Sequence, residues 1–576
     1  MPHSNKSYGW TGKILLIDLC TQKYEVIRPE ENIYKSFLGG RGLCSYYMRE
    51  IKNLMPSEIP LLFFPGALTG TKIPFAVKTI ISSISPLTKT FFTSAVGGFF
   101  GWHLKKAGWD GIIITGKSQN QIGLTVKDEN VSFFDCNDLK NKKASDIFHK
   151  LKPEGSAAIT SIAADNGVAF SNIIIDKYFF AGRGGLGLVM ANKGLKAIEV
   201  YGSCDIAVHD SENLSKGIED SMRLVSASPS LMGELGFTEF GTSALYDLIF
   251  SRNIMPAKNF ASRSFPDAEH LNAWNFKNKY PWEKTGCPNC PILCKRISSE
   301  GLLPEYNSMA HFSSLIDNRD IDIVMEANRL CNETGMDTIS AASAIACYRE
   351  LKDKDHSIDI IQLLKEIAFA SGEGKLLIKG SSEFSKKLSS PESSMNVKGL
   401  DLPAFDPRGA YGFSLAYATS TRGGCYLQAY PLSHEILRKP IATDRFSFEG
   451  KARITKLNED MNAAMDSLGL CRFSVNAFGL EECAKLLNAV TGEDFTAGDL
   501  MNCGERIFYN ERIINYTLGF DSKDDNLPER FFESENAINR DDFLKARANY
   551  YLIRGLSPEG KPLETKTREL KLKWLE

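Results

Sequence analysis

The residues best suited to chemistry in this chain are three cysteines in one short loop. Cys287, Cys290 and Cys294 stand at C-x2-C-x3-C spacing, with Gly286, Pro288 and Pro291 among them. Thiolates in so tight a loop can face one centre from three sides, and iron–sulfur clusters take four such ligands. The first step of the spacing also serves zinc, but zinc sites usually bring a second close Cys or His pair. None follows here. A reduced structural loop is the third reading. A fourth ligand must come from far along the chain, and the candidate is Cys471, which closes the run Asp466, Ser467, Leu468, Gly469, Leu470, Cys471.

That run has a counterpart. Residues 332–337 and 466–471 share the form Asx-x-x-Gly-apolar-Asp/Cys. Each follows an apolar helical run, so each fits a helix C-terminus turned by glycine. Taken singly, either is an ordinary cap. As a pair they also fit two loops binding two copies of one ligand, with Asx side chains accepting from ring N–H groups.

The elements that must position these residues fall into two textures. In the first 200 or so residues, 13–19 and 111–115 are apolar strand runs and 122–134 alternates. Between them lie glycine-rich segments at 39–42, 66–70, 97–98 and 182–187. Glycines let a backbone approach a ligand closely and present N–H groups to an anion. Four such segments in one β-rich domain point to a large phosphate-bearing ligand, although each alone reads as a tight turn. The last is no Rossmann fingerprint, since no strand is expected just before it and no acidic residue stands at the right distance beyond. It also lacks the Gly-Lys-Ser/Thr of a Walker A loop.

Beyond about residue 205 the pattern turns helical, at 322–331, 338–352, 358–370, 451–465 and 541–552. Residues 371–374 and the serine-rich 381–394 read as surface connections. No repeat period or long low-complexity tract is present. The expected fold class is α+β: a β-rich N-terminal domain at 1–204, then two mainly helical domains at 205–400 and 401–576.

Composition bounds the partners. Hydrophobic residues make up 43% and charged residues 24%, ordinary for a soluble globular protein. A net charge of −2 offers no basic field for nucleic acid or an anionic membrane. Residues 1–10 are polar without an apolar signal core, and the most apolar run, 59–65, is too short and proline-broken to span a bilayer. These features fit the cytoplasm. Thirteen cysteines are too sparse for a disulfide scaffold, and the count is odd. Cys20, Cys44, Cys136, Cys204, Cys347, Cys483 and Cys503 are expected as small buried residues in a reducing compartment.

With these motifs in place, the chain resembles the aldehyde ferredoxin oxidoreductase family of tungsten or molybdenum bis-pterin enzymes. The resemblance runs through Gly-Trp-Thr-Gly-Lys-Ile at 9–14, Phe-Leu-Gly-Gly-Arg-Gly at 37–42 and Gly-Ala-Leu-Thr-Gly-Thr at 66–71. It continues through Ser-Pro-Leu-Thr at 85–88, Gly-Gly-Phe-Phe-Gly at 97–101, Ala-Gly-Trp-Asp-Gly at 107–111 and Ala-Gly-Arg-Gly-Gly at 181–185. The three-cysteine loop, Asp-Pro-Arg-Gly at 406–409 and the run at 417–424 complete it.

The resemblance implies a [4Fe-4S] cluster on Cys287, Cys290, Cys294 and Cys471. It implies one pterin on Asn332, Gly335, Met336 and Asp337, and a second on Asp466, Gly469 and Cys471. A Mg²⁺ ion bridging the pterin phosphates would lie against the backbone carbonyls of Ala95 and Phe180, with Gly97, Gly182, Arg183 and Arg422 lining the site. The tungsten or molybdenum itself takes no protein ligand in that family. A ferredoxin-like electron acceptor, a small-molecule substrate and a homodimer are the implied partners.

Departures from the family pattern cluster around this site. Lys78 stands where the family bridges cluster and pterin with arginine, keeping the charge but losing the planar fork. Ala95 replaces an asparagine, Phe179 replaces a phosphate-side arginine, and Asn332 opens the first pterin motif without charge. Asn307 stands for the glutamate of P-E-Y-E, and Tyr426 for the histidine after R-G-G-C. A carboxylate can activate water and a histidine can donate to an oxyanion. Asn307 can only hydrogen-bond, while Tyr426 can still donate. Glu305 is a candidate base, or else a structural carboxylate. Glu326-Ala-Asn-Arg329 lacks the histidine of the family's interface metal motif, so no metal is expected there. Two readings follow: an oxidoreductase acting on an aldehyde-type, other carbonyl or acid substrate, and a non-catalytic or electron-transfer member that keeps the cluster without the pterin metal.

Overall fold

Isoleucine-rich runs set the first layer. In a computed structural model that describes residues 8–49, 54–55, 57–533 and 536–572, Ile14–Asp18 lies parallel to Gly111–Thr115, with Ile14 opposite Gly111. The polar leader 1–10 read above falls for the most part outside the described residues. Six strands form this sheet, in the spatial order Lys23–Ile27, Ile14–Asp18, Gly111–Thr115, Leu61–Pro65, Thr79–Ile84, Phe91–Val96. A second six-stranded sheet runs Phe179–Ala181, Ile173–Ile175, Ser156–Ile159, Leu195–Tyr201, Ile122–Lys127, Asn130–Asp135. The alternating stretch 122–134 is thus a hairpin, turned at Asp128 with φ 51°.

Side chains alternate across each strand, and both faces of the first sheet are covered. Leu61 and Phe63 join Leu124, Val126 and Ile198 of the second sheet in one core. Leu62 and Phe64 face the other way, into a core that continues to Leu572. Burial on both faces explains why these strands read as unbroken apolar runs.

The helical part follows the periodic segments, with ends moved by their caps. Observed helices are Ile321–Thr334, Thr338–Lys352, Ile360–Ala368, Lys451–Leu468 and Arg540–Arg554. Asp320, Asp337, Asp359 and Asn539 cap four of them by accepting from N–H groups of the first turn. Sequence reading missed the longest helix, Ala497–Thr517. It packs on Lys451–Leu468 so closely that a Cβ at Gly504 would lie 1.9 Å from the Asp460 carbonyl oxygen. Its polar residues are buried in pairs, which hides its periodicity.

Two expectations are corrected here. The serine-rich stretch 381–394 is not a surface connection: Ser381–Lys387 is a helix, and Ser381, Ser385, Ser393 and Ser394 are buried. Ser381 satisfies its hydroxyl on Asp401 and Ser394. Of the seven cysteines expected inside, Cys20 and Cys204 are exposed while the other five are buried. A small antiparallel sheet also interrupts the helical part, and it matters most. Glu283–Thr285 pairs with Lys295–Ser298, Thr285 opposite Lys295, so the three-cysteine loop is the hairpin connection between them.

Candidate functional site

Both repeated motifs end a helix the same way. Gly335 and Gly469 take left-handed φ values of 77° and 84°. The next residue's N–H reaches back to the helix, Met336 to the Cys331 carbonyl at 2.9 Å and Leu470 to the Met465 carbonyl at 3.0 Å. This is the six-residue closure of a Schellman turn. Each turn then adds one antiparallel bridge to the N-terminal part, Met336 to Ser171 and Leu470 to Ala76. The Gly335 carbonyl accepts from Asn172 N–H at 2.7 Å, and the Gly469 carbonyl from Val77 and Lys78, each at 2.9 Å.

The glycine-rich segments divide by task, which corrects the expectation that all four face one ligand. Residues 39–42 and 66–70 seat the second turn. A Cβ at Gly66 would lie 1.9 Å from Gly469 N, and one at Gly40 would lie 2.6 Å from the Asp466 carbonyl oxygen. Their close approach is to backbone. Residues 97–98 and 182–187 do face the cleft. A Cβ at Gly97 would stand 2.6 Å from Cys287 Sγ, which accepts from Gly98 N–H at 3.3 Å. At Gly182 the nearest atom would be Asp337 Oδ1, at 3.3 Å. A strand, Phe179–Ala181, does precede residue 182, contrary to the sequence reading. It is a three-residue antiparallel edge strand, so the segment is still no Rossmann turn.

One cleft collects the expected residues from both parts of the chain. Cys287, Cys290, Cys294 and Cys471 line it together. So do Lys78, Ala95, Gly97, Phe180, Gly182, Arg183 and Arg422 from the glycine side. Asn332, Met336, Asp337 and Asp466 enter from the two turns, and Glu305, Asn307 and Tyr426 complete the wall. Gly335 and Gly469 stand behind it and shape the turns.

Charge in the cleft is mutually constrained. Burial, then the charge of Cys471, pushes the Cys290 thiol up to about 11. Cys294 is held higher by burial, Glu305 and Cys471, and Cys287 is raised by burial against the pull of Lys78. Ionising four half-buried cysteines on one cleft is costly unless a multivalent cation neutralises them. Among the described residues, no three Cys, His, Asp or Glu side chains converge closely enough to hold a single metal ion. Burial opposes the Lys78 charge, but Cys471, Cys287, Cys294 and Glu305 outweigh it and raise its pKa.

Three buried polar atoms on the cleft wall have no hydrogen-bond partner: Arg183 Nε, whose nearest acid is Asp337 at 3.9 Å, Arg472 Nη1 and Asn172 Oδ1. Buried polar groups are almost always satisfied, so this donor-rich surface fits a polar, anionic occupant. The pterin–phosphate group implied by the family resemblance meets that test.

The candidate catalytic residues are placed as follows. Asn307 Oδ1 accepts from Ala404 N–H at 3.1 Å, which turns its amide NH₂ toward the cleft. Tyr426 lies beside it, 8% exposed, packed on Phe405 with ring centroids 4.6 Å apart. Burial raises the Tyr426 pKa, with Tyr430 adding to the rise and the Asn307 side-chain hydrogen bond opposing it. Glu305 is tied to Lys295 at 3.0 Å, and its side chain is 44% exposed into the cleft. Burial would raise its pKa, but Lys295 and Lys78 hold it below the usual range.

Sequence reasoning missed several residues at the site. Lys295 and Arg472 each follow a cleft cysteine directly, a Cys-cation pairing that could have flagged them. Arg472 Nη2 donates to Asp466 at 2.8 Å. Arg41, buried at 1% exposure, donates to Glu511 at 2.6 Å and to Asp466 at 3.3 Å. His311 lies behind Asn307, its ring nitrogens 2.8 Å and 3.2 Å from the carbonyl oxygens of Asn307 and Leu402. Burial and the Arg183 charge bring its pKa down to about 4. No sequence pattern marked Asn172 or His311.

Known proteins match this arrangement along the chain. Residues 14–202 match the family model of the aldehyde ferredoxin oxidoreductase N-terminal domain, and residues 216–572 match domains 2 and 3. The tungsten-containing aldehyde ferredoxin oxidoreductases of Pyrococcus furiosus and Thermococcus kodakarensis are each 33% identical, covering 98% of this chain and 99% of theirs. The WOR-like subunit of an aliphatic sulfonate oxidoreductase from Pyrococcus furiosus is 27% identical over 98% of this chain and 97% of its own. Among solved structures, the active-site complex BamBC of benzoyl coenzyme A reductase, with 1,5-dienoyl-CoA, superposes with a TM-score of 0.84. It does so at 22% identity, over 98% of this chain and 97% of that one, which speaks to fold alone. Family models covering nearly the whole length, over a cleft built from both parts they describe, place the chain: it belongs to the aldehyde ferredoxin oxidoreductase family.

Proposed function

We propose that the protein is an oxidoreductase carrying a tungsten (or molybdenum) bis-pterin centre and one [4Fe-4S] cluster. It acts on an aldehyde-type or related carbonyl or acid substrate and passes electrons to a ferredoxin-like partner. The observation that carries this reading is the single cleft onto which four cysteines, both glycine-turned motifs and two glycine segments open. Cys287, Cys290, Cys294 and Cys471 would hold the cluster. Asn332, Met336 and Asp337 would hold one pterin, and Asp466 with Cys471 the other. Mg²⁺ would meet the backbone oxygens of Ala95 and Phe180, beside Gly97, Gly182, Arg183 and Arg422, with Lys78 near the cluster. When bound, the tungsten centre supplies two-electron exchange with substrate and the cluster a one-electron exit.

The chain's own residues orient the substrate. Ala404 N–H fixes Asn307 Oδ1, so the Asn307 amide donates to the Tyr426 oxygen. That leaves the Tyr426 O–H free to donate into the cleft, and burial keeps it protonated. A neutral donor of this kind suits a carbonyl or carboxyl oxygen. Neither residue can draw a proton from water, and Glu305 is engaged by Lys295 beside Cys294. Glu305 therefore serves as a counter-charge at the cysteine end. The pair favours proton delivery to substrate oxygen over activation of water.

Metal analysis of anaerobically purified protein tests the reading. About four irons and one tungsten or molybdenum per chain are expected. Four irons with neither heavy metal, in cells that make the cofactor, would replace it with the electron-transfer reading. Tyr426→Phe is expected to lower turnover about 100-fold at unchanged metal content, and unaltered turnover would refute the Tyr426 assignment.

A further inference from the structure

Away from the cleft, the segment that leaves Tyr430 runs over the surface and forms a two-lobed groove around Phe446. One lobe is lined by Arg252, Arg438 and Arg445, with Glu435 and Asp444 on the same wall. Beside it, a second lobe is lined by Tyr411, Phe446 and Phe448. Phe446 belongs to both and is 52% exposed.

The arginine lobe is electrostatically unbalanced. Among the described residues, Arg252, Arg438 and Arg445 have no ion-pair partner. The acids nearby are already engaged. Glu435 points inward to Lys451 at 2.5 Å and to Gly412 N–H at 3.0 Å, and Asp444 Oδ1 accepts from Phe446 N–H at 2.9 Å. Burial, then Arg252 and Arg263, hold the Arg445 guanidinium below its ordinary pKa, and the charges of Glu435 and Asp444 only partly oppose them. One Arg445 Nη1–H is spent on the Arg252 carbonyl at 2.7 Å, and its guanidinium stacks on the Phe446 ring at 4.6 Å. Converging guanidinium forks match phosphate oxygens.

The second lobe supplies ring surface. Tyr411 and Phe448 stack with centroids 5.0 Å apart, and Phe446 meets Tyr411 edge-on at 6.1 Å. Aromatic faces of this kind bind bases by stacking, without sequence preference. Glu449 and Asn549 line the same lobe and offer acceptors for sugar hydroxyls. Phosphate chemistry on one side of Phe446 and ring chemistry on the other describe one ligand class.

We infer that this groove binds a nucleoside phosphate, with its phosphates on Arg252, Arg438 and Arg445 and its base against Phe446. The site is separate from the cofactor cleft. Leu245, at the start of the helix Leu245–Ser251, lines the cleft, and Arg252 caps its far end about 10 Å away.

Calorimetric titration of the full-length protein with ADP, inorganic pyrophosphate and adenosine tests this without requiring any metal centre. ADP is expected to bind saturably, with pyrophosphate at least about tenfold weaker and adenosine without measurable binding. Arg438→Glu, at an exposed side chain, should weaken ADP and pyrophosphate alike by about tenfold or more. Phe446→Ala should weaken ADP and leave pyrophosphate unchanged. Absence of saturable ADP binding at millimolar concentration would overturn the site. So would an ADP affinity that neither substitution alters, or tight pyrophosphate binding indifferent to Arg438→Glu.

Discussion

Residues 332–337 and 466–471 end their helices alike, with Gly335 at 77°, Gly469 at 84°, and one antiparallel bridge each to the N-terminal part. What flanks each glycine is different. The closing residue of the first turn, Asp337, spends its carboxylate capping the next helix, accepting from Ser340 N–H at 2.9 Å. Its counterpart Cys471 precedes a short 3₁₀ turn without capping it, so its thiol is free to face the cleft. The opening residues differ too. Asp466 holds Arg41 and Arg472, whereas no hydrogen bond joins the Asn332 side chain to any described residue. One backbone device thus presents two differently engaged side chains to the same cleft, a carboxylate that also caps a helix and a thiol that caps nothing.

The largest test of that asymmetry exchanges the closing residues' fates. Cys471→Ala is expected to abolish the four-iron signal, while Asp337→Ala retains it at some loss of helix stability. Iron content and low-temperature EPR of both variants decide this, and full iron in Cys471→Ala would remove Cys471 from the ligand set.

A smaller effect separates the two glycines. Left-handed backbone costs an alanine about 1–2 kcal/mol, and at Gly335 the nearest neighbour, Ser161 Cβ at 3.3 Å from the new Cβ, need yield only slightly. At Gly469 the same Cβ would meet Thr69 Oγ1 at 2.3 Å and Gly66 Cα at 3.0 Å. Gly335→Ala should therefore cost about 1 kcal/mol and Gly469→Ala about 3–4 kcal/mol. Urea denaturation of the two variants measures the gap, and equal costs would mean the second turn is less tightly seated than described.

A further effect, of similar size, appears only with pH. Burial pushes the Asp401 carboxyl, on the first-turn side near Arg183 and Asp337, up to about 6. Its ordinary value is 3.8. The folded chain therefore keeps this proton where the unfolded chain has lost it. That contribution to stability is full below about pH 4 and is lost as pH rises through about 6. Asp401→Asn should gain about 2–3 kcal/mol relative to the parent between pH 4.5 and 7.5. A pH-independent difference would show that Asp401 is ionised throughout.

Much of this was legible in the residues. The Cys287–Cys290–Cys294 spacing, the paired Asx-x-x-Gly motifs and the helix Thr338–Lys352 read directly, because each depends on neighbours within a turn or two. Other features did not read. Residues 39–42 and 66–70 look like ligand loops, since a glycine required by a ligand and one required by another backbone have the same local signature. The serines of 381–394 look solvated because their buried partner, Asp401, comes later in the chain. Helix Ala497–Thr517 lacks a clean stripe because Glu511 is buried by Arg41, far away in sequence, and Arg512 by Asp525, beyond the helix end.

By itself, the sequence determined the ligand types, the turns that present them and the strands that read as apolar runs. These follow from bonding preference, backbone freedom at glycine and local burial pattern. Only the tertiary structure decided that Cys471 meets a loop nearly two hundred residues earlier, that Asn307 is held by Ala404 N–H beside Tyr426, and that Glu305 answers to Lys295. Those facts depend on orientation and on which charges share a low-dielectric space. The chain alone does not encode that in any local spacing.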